Sequence, residues 1–293
     1  MFLISSPARG LSFRTDVSWI VAPYTYCEHP DATSSAGEAF SKRLLETIMA
    51  EKDIWEKCVI FLTYDENDGY FDHVPAPIPP LNDSYESHNL TSANGISISF
   101  FDETYEQEPI GLGPRVPMLV ISPWSKGGRV SSRLSDHTSV IRFIETWGYD
   151  ANSVKCTNIS EWRRAVCGNL TEMIGLNTDF SVTNFEKSSA GCNGPHSVLA
   201  PYPYSDKDKF APAIAAQDRK ACPLPYNYEV VATRNGTSIT ITFDNSKSSA
   251  ASTFIVYIDA QTSSQKAFHY TVAAHSEHSV SLTLTDTAGL CEV

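Results

Sequence analysis

The sequence predicts an α/β layered core followed by a small antiparallel β-sandwich-like domain, and three features carry that expectation. Two apolar runs, residues 58–64 and 116–121, have the length of strands buried inside a layered fold. Each lies near a helical stripe in sequence, at residues 35–49 and 136–147. From about residue 225 the apolar residues fall instead into short alternating clusters separated by turn signals, the pattern of a small all-β module.

Within residues 35–49, Phe40, Leu44 and Ile48 recur every four positions, which predicts a surface helix with one buried stripe. Ser35 with Glu38 three residues on reads as its capping box. The run Cys58, Val59, Ile60, Phe61, Leu62, Thr63 and Tyr64 predicts a strand covered on both faces, and polar residues begin abruptly at Asp65. Residues 76–110, rich in Pro, Asn, Ser and Asp, read as a long surface excursion. The second run is entered through Gly111, Gly113 and Pro114 and closed by Ser122 and Pro123, so it too reads as a buried strand. Asp136 caps a helix whose Val140, Phe143, Ile144 and Trp147 form one stripe, with Gly148 as the stop. Residues 229–232, 238–243, 254–259, 269–273 and 279–285 read as strands, and Asn235-Gly236 marks a hairpin between the first two. The expected organisation is a catalytic part over 1–195, a linker over 196–222, and a β domain over 223–293 that lacks the closing strands of a full sandwich.

Thirty-four acidic residues against 22 basic ones give a net charge of −12, the wrong sign for gripping a nucleic-acid backbone. No apolar run approaches the roughly 18 to 20 residues that span a bilayer. The opening MFLISSPARGLSF lacks the layout of a secretory leader. Seven cysteines allow at most three bridges, and Asn-x-Ser/Thr acceptors begin at Asn82, Asn89, Asn158, Asn169 and Asn235. Together these point to an oxidising, secretory or extracellular setting, with any leader lying upstream of Met1.

The chemistry concentrates in TYDENDGYFDHVP, residues 63–75, where Asp65, Glu66, Asp68, Asp72 and His73 follow the first strand. Strand ends are where ligands sit in open α/β sheets, and clustered hard oxygens suit a divalent cation that polarises a phosphoryl oxygen. A solvated acidic turn is the plain alternative. An EF-hand loop fits poorly, because Gly69 comes one position early and Ala76 stands where the bidentate Glu belongs. A glycosidase pair fits less well still, since neighbours on an extended chain point to opposite faces. His29, in a Cys27-Glu28-His29-Pro30 loop, and His137, at the head of the helix capped by Asp136, have the placement of site residues. A helix amino terminus disfavours imidazolium, which leaves His137 able to ligate a metal or donate to a substrate oxygen. His73 reads equally as a site residue or as a brace for the acidic turn. His88, His196, His269, His275 and His278 read as incidental, while Arg115, Lys126 and Arg129 serve either an anionic substrate or solubility.

Three blocks are similar to the bacterial-type phosphatidylcholine-specific phospholipase C and acid phosphatase family of phosphoesterases. They are VSWIVAPYTYCEHP (17–30), VIFLTYDENDGYFDHVPAP (59–77), and GLGPRVPMLVISPWSKGG through SDHTSVIRFIETWG (111–148), in family order. The tail from Pro223, Leu224, Pro225 and Tyr226 through the hairpin resembles the β domain of the phospholipase C branch. The resemblance implies an alkaline-phosphatase-like α/β core and a divalent metal ion of unassigned identity. It implies a phospholipid or other phosphate ester as substrate, with peripheral contact to lipid surfaces. It matches Asp65 and Glu66 to the family's metal-site carboxylates and His29 to a histidine that contacts the phosphoryl group, while His73, Asp136 and His137 fall in matching motifs. The family also places a Glu-Asn-Arg-Ser-Phe-Asp-His type motif and a Ser or Thr nucleophile upstream of the Val-Ser-Trp block, and nothing before Val17 supplies either. The expectation is therefore the carboxyl-terminal portion of a longer phosphoesterase, with weak activity or none by itself. An acid phosphomonoesterase and a non-catalytic secreted binding protein on the same scaffold are the alternative readings.

Overall fold

A computed structural model describes residues 2–5, 17–80, 103–106, 108–125, 128–147, 155–175, 220–258 and 266–283. Along the chain the elements are β1 (Phe2–Ser5), β2 (Val17–Ile20), α1 (Ser34–Ala50), α2 (Lys52–Trp55), β3 (Val59–Thr63), β4 (Thr104–Tyr105), β5 (Glu108–Pro109), β6 (Met118–Ile121), α3 (His137–Trp147), α4 (Glu161–Val166), β7 (Glu229–Asn235), β8 (Ser238–Asp244), β9 (Ser252–Ile258), β10 (Lys266–Val272) and β11 (Glu277–Thr283). The chain is thus mixed α and β. It divides into two compact units, one built from residues 1–70, 116–131 and 172–222 and the other from 71–115, 132–171 and 223–293.

In the first unit β1 to β3 and β6 form a sheet of order β2-β1-β3-β6, every neighbouring pair antiparallel. β3 is interior to this sheet, and Val59, Ile60 and Phe61 are buried as its continuous apolar run requires. Ile60 and Leu62 join Cys58, Trp55 and the α1 stripe of Phe40, Leu44 and Ile48 in one core, so α1 and α2 pack through the even-numbered face of β3. β6 departs from expectation. Among the described residues it pairs only with β3, and its Leu119 is 57% exposed, so the second apolar run is an edge strand rather than a doubly buried one. The expected capping box is also absent: the helix begins one residue earlier, with Thr33 at the N-cap and no side-chain cap hydrogen bond, and Ser35 Oγ turns back to Thr33 Oγ1.

In the second unit α3 begins at the expected Asp136 cap, whose Oδ1 accepts from the Ser139 amide and from the Thr138 hydroxyl. Arg164 of α4 forks onto Glu145 of α3 with two bonds of 2.9 Å, and Arg142 donates to the Cys167 carbonyl. The sheet β11-β8-β7 and the ribbon β10-β9 then bury a common core of Ile241, Phe243, Val256, Tyr270, Val272, Val280 and Leu282. Alternation is visible on β8, where Ile241 and Phe243 point inward while Thr240 and Thr242 pair with Ser281 and Ser279 on the outer face. The expected hairpin forms between β7 and β8, with Asn235 paired to Ser238 and Gly236, at φ +62°, opening the two-residue loop Gly236-Thr237. Trp162 of α4 is fully buried and donates to Thr271 Oγ1 of β10 at 3.1 Å, so helix and β module share one interior.

The excursion at 76–110 is not wholly a surface feature, because Pro79, Pro80 and Glu103 are buried. Cys27, Cys58, Cys156, Cys167 and Cys222 are all free thiols, so among the described residues the expected bridges are not formed. Burial pushes the Cys58 thiol up to about 12. Cys192, Cys291, Asn82, Asn89, His88, His196, Lys126 and Gly148 lie outside the described residues.

Candidate functional site

β3 ends at Thr63, and the acidic segment follows at once. Asn67 to Tyr70 forms a tight turn closed by the Tyr70 amide on the Asn67 carbonyl at 2.9 Å. Its central residues, Asp68 and Gly69, both have positive φ, the signature of a type I′ turn. The chain therefore reverses just past Asp65 and Glu66, leaving both carboxylates exposed at the carboxyl end of the strand.

A second loop is tied to the same end. The short 3-10 turn Tyr24–Tyr26 rests on α1 through Tyr26 and Phe40, whose ring centroids are 6.1 Å apart. Glu28 has φ +64° and sends its carboxylate to Tyr64, whose hydroxyl donates to Oε2 at 2.5 Å. That bond holds the Tyr64 phenol up to about 12. His29 follows, and its Nδ1 lies 2.8 Å from Asp31 Oδ1. Tyr24 donates its hydroxyl to the other oxygen, Asp31 Oδ2. The Asp31 hydrogen bond raises the His29 pKa above its ordinary value, and the charges of Asp31, Asp68 and Glu66 add to the rise. Asp31 itself is held below the usual carboxylate range, by Tyr24 first and by His29 next.

The Glu28 to Tyr64 bond thus ties the His29 loop to the end of β3 within the first unit. The other expected site residues belong to the second unit. His73 is almost fully exposed, with Nδ1 3.0 Å from Asp72 Oδ1. Asp72 is gripped by Arg115, whose hydrogen bond lowers its pKa to about 2. Arg115, one of the candidate substrate cations, is therefore engaged by a carboxylate. His137 opens α3 on the surface beside Asp136, whose Oδ2 accepts from Arg163 Nη1 at 2.8 Å. Arg163 also forks onto Glu103, which is 1% exposed. Tyr24, Glu28, Asp31 and Tyr64 were not singled out from sequence. Asp31 stood two residues from His29 and carried a local signal; the Glu28 to Tyr64 bond joins residues 36 apart and carried none.

Among the described residues no three His, Cys, Asp or Glu side chains converge as a metal cluster. Asp65 and Glu66 are hard oxygen donors of the kind a divalent cation of the magnesium, calcium or manganese type accepts, and as a pair they fill only part of its shell. No helix among the described residues is long and apolar enough to cross a membrane.

Residues 15–148 match the Phosphoesterase family. The chain is 42% identical over 213 residues to the hemolytic phospholipase C of Pseudomonas aeruginosa, covering 73% of this chain and 26% of that protein. It is 46% identical over 162 residues to the non-hemolytic phospholipase C of Burkholderia pseudomallei, covering 55% and 23%. Against the non-hemolytic phospholipase C of P. aeruginosa the identity is 38% over 268 residues, covering 88% and 38%. The chain spans between about a quarter and two fifths of the length of these relatives. The matches bear out the resemblance read from the three sequence blocks.

Proposed function

We propose, from the premise that this chain belongs to the Phosphoesterase family through residues 15–148, that it serves phospholipase C-type hydrolysis of the glycerol-side phosphodiester bond of a phospholipid. The observation that supports the reading is the Tyr64 hydroxyl on Glu28 Oε2 at 2.5 Å, which ties the loop carrying His29 to the strand end that carries Asp65 and Glu66. Asp65 and Glu66 would hold a hard divalent cation there, which when bound supplies Lewis-acid stabilisation of the phosphoryl oxygens. His29 would offer Nε2 to the same phosphate, donating a hydrogen bond to a phosphoryl oxygen and a proton to the departing glycerol oxygen. The positive character of a raised-pKa imidazole beside an anionic phosphodiester favours both acts. His73 and His137, which belong to the second unit, fall in matching family motifs and are kept as candidates on that ground alone. The α/β part is read as an alkaline-phosphatase-like core, with 1–195 catalytic, 196–222 a linker and 223–293 an appended β domain. A secretory or extracellular setting belongs to this reading, and the Asn158 and Asn235 acceptors are exposed as glycosylation would need.

Because no family nucleophile motif precedes Val17, the reading expects the 293-residue chain to bind metal and phosphocholine while hydrolysing a chromogenic phosphocholine ester near the background rate. Mn2+ affinity, followed by calorimetry and by broadening of the phosphocholine 31P signal, is expected to fall at least ~10-fold in Asp65→Asn and in Glu66→Gln. Affinity unchanged in both variants, or no Mn2+ binding at all, overturns the assignment. Absent turnover with intact binding also fits a non-catalytic binding protein, the second reading. Robust metal-dependent hydrolysis by the chain would remove that second reading and overturn the expected need for an upstream nucleophile.

A further inference from the structure

The His29 ring is not held as a free loop histidine would be. A carboxylate can only accept, so the 2.8 Å contact between Nδ1 and Asp31 Oδ1 requires the proton on Nδ1. Free imidazole in water favours the other neutral tautomer, with the proton on Nε2. Asp31 is itself fixed: its second oxygen accepts the Tyr24 hydroxyl, and the Tyr24 and His29 rings lie 6.2 Å apart, with their planes tilted by 32°. The loop that carries all three is clamped at Glu28 by Tyr64 and shaped by the Ala32 amide bonding the His29 carbonyl at 2.6 Å.

We infer that Asp31, locked by Tyr24, is a positioning residue that fixes His29 in the Nδ1–H tautomer and leaves Nε2 as the atom that exchanges protons with a phosphate ester. The inference rests on the phosphoesterase reading for the identity of the ligand, and on the loop geometry alone for the tautomer. In the cleavage step, the bond from phosphorus to the glycerol oxygen breaks as the nucleophile's oxygen bonds to phosphorus. The leaving oxygen takes the proton from Nε2, and the imidazole is left neutral with its Nδ1 proton still on the Asp31 bond. In the hydrolytic step, the water's oxygen bonds to phosphorus as the bond from phosphorus to the nucleophile's oxygen breaks, returning that oxygen as the alkoxide that opened the cycle, while Nε2 takes the water's proton and is restored. Without Asp31 the neutral ring would place its proton on Nε2 and lose the base needed for the second step. The arrangement has the logic by which a carboxylate orients a catalytic histidine and stabilises its charged form.

The test is the tautomer, read from the ring nitrogens of the chain labelled with 15N-histidine at a pH where the imidazole is neutral. The chain has eight histidines, and His29→Gln identifies the signal in question. The wild-type chain is expected to show His29 with Nδ1 protonated and Nε2 bare. Asp31→Ala is expected to invert the two, while Asp31→Asn, which keeps a carbonyl acceptor, restores the wild-type pattern. Tyr24→Phe is expected to give a mixture. Adding phosphocholine with Mg2+ is expected to shift Nε2 in the wild type and to leave it unmoved in Asp31→Ala. Unchanged signals from the other histidines show that each variant folds, and if Asp31→Ala does not, Tyr24→Phe carries the same comparison. A wild-type His29 protonated on Nε2, or a tautomer indifferent to both substitutions, overturns the inference. Correct tautomers with no response to phosphocholine overturn the phosphate ligand and leave the Asp31 bond standing, so the two failures are distinct.

Discussion

Gly37 lies in the first turn of α1 beneath Glu28, and a Cβ placed there would fall 2.1 Å from Oε1 and 2.3 Å from Cγ of that side chain. The absence of a side chain at 37 is therefore what lets Glu28 reach Tyr64. Gly37→Ala is expected to push the carboxylate aside and release the Tyr64 phenol from about 12 toward its ordinary value of 10. Raising a phenol's pKa favours its protonated form. The bond therefore supports the folded state fully below pH 10, and that support drains away as pH rises from 10 to about 12. Ultraviolet difference titration of the variant against the wild type, with Tyr64→Phe marking the tyrosine concerned, reads the shift. An unchanged titration would show that Glu28 keeps its grip. At this scale the sequence singled out residues whose chemistry is conspicuous, His29 in its loop and Asp65 and Glu66 at a strand end. It concealed Glu28, Gly37 and Tyr64, which matter only through contacts formed after the chain has folded.

Elements were legible where a local rule dictated them. The β3 run, the α1 stripe, the Asp136 cap and the Asn-Gly hairpin each follow from periodicity or turn chemistry within a few residues. β6 carries the same apolar composition as β3, yet it lies at a sheet edge, because position in a sheet depends on which strands pair and leaves no mark in a four-residue run. β1, β2 and α4 are four to six residues long and fall below the length at which periodicity speaks. Asn245, just past β8, joins elements in a way composition could not reveal. It has no exposed surface, and its amide donates to the carbonyls of Ala250, Val272 and Ala273 while its Oδ1 accepts from Ser252 Oγ. The start of β9 and the end of β10 are therefore pinned to β8 by one side chain. Asn245→Ala strands several buried polar groups and is expected to lower the unfolding free energy by about 3 kcal/mol. Chemical denaturation measures the loss, and a change under about 0.5 kcal/mol, the level of a surface substitution, would show those carbonyls to be satisfied otherwise.

At the scale of the molecule, cohesion is decided inside each unit. In the second unit α3 is bonded to α4 through Glu145 and Arg164, and α4 buries Trp162 against Ala251 and Ala273 of the β module. Within that interior the Trp162 indole donates to Thr271 Oγ1 of β10. Arg163, next in sequence, fastens Asp136 and buried Glu103 to the same helix, so the cap that carries His137 depends on α4 being in place. A β module hung on a flexible tether would exchange its amides independently of α3 and α4, whereas one interior implies a common opening free energy. Thr271→Val keeps the side-chain shape and removes the indole's acceptor, at a cost of about 1 to 3 kcal/mol. Hydrogen exchange followed by mass spectrometry is then expected to show protection falling by about tenfold, for a loss near 1.4 kcal/mol, in peptides covering residues 137–147, 161–166 and 266–283 alike. Loss confined to 266–283 would mean that the β strands open alone and that the His137 cap does not depend on them.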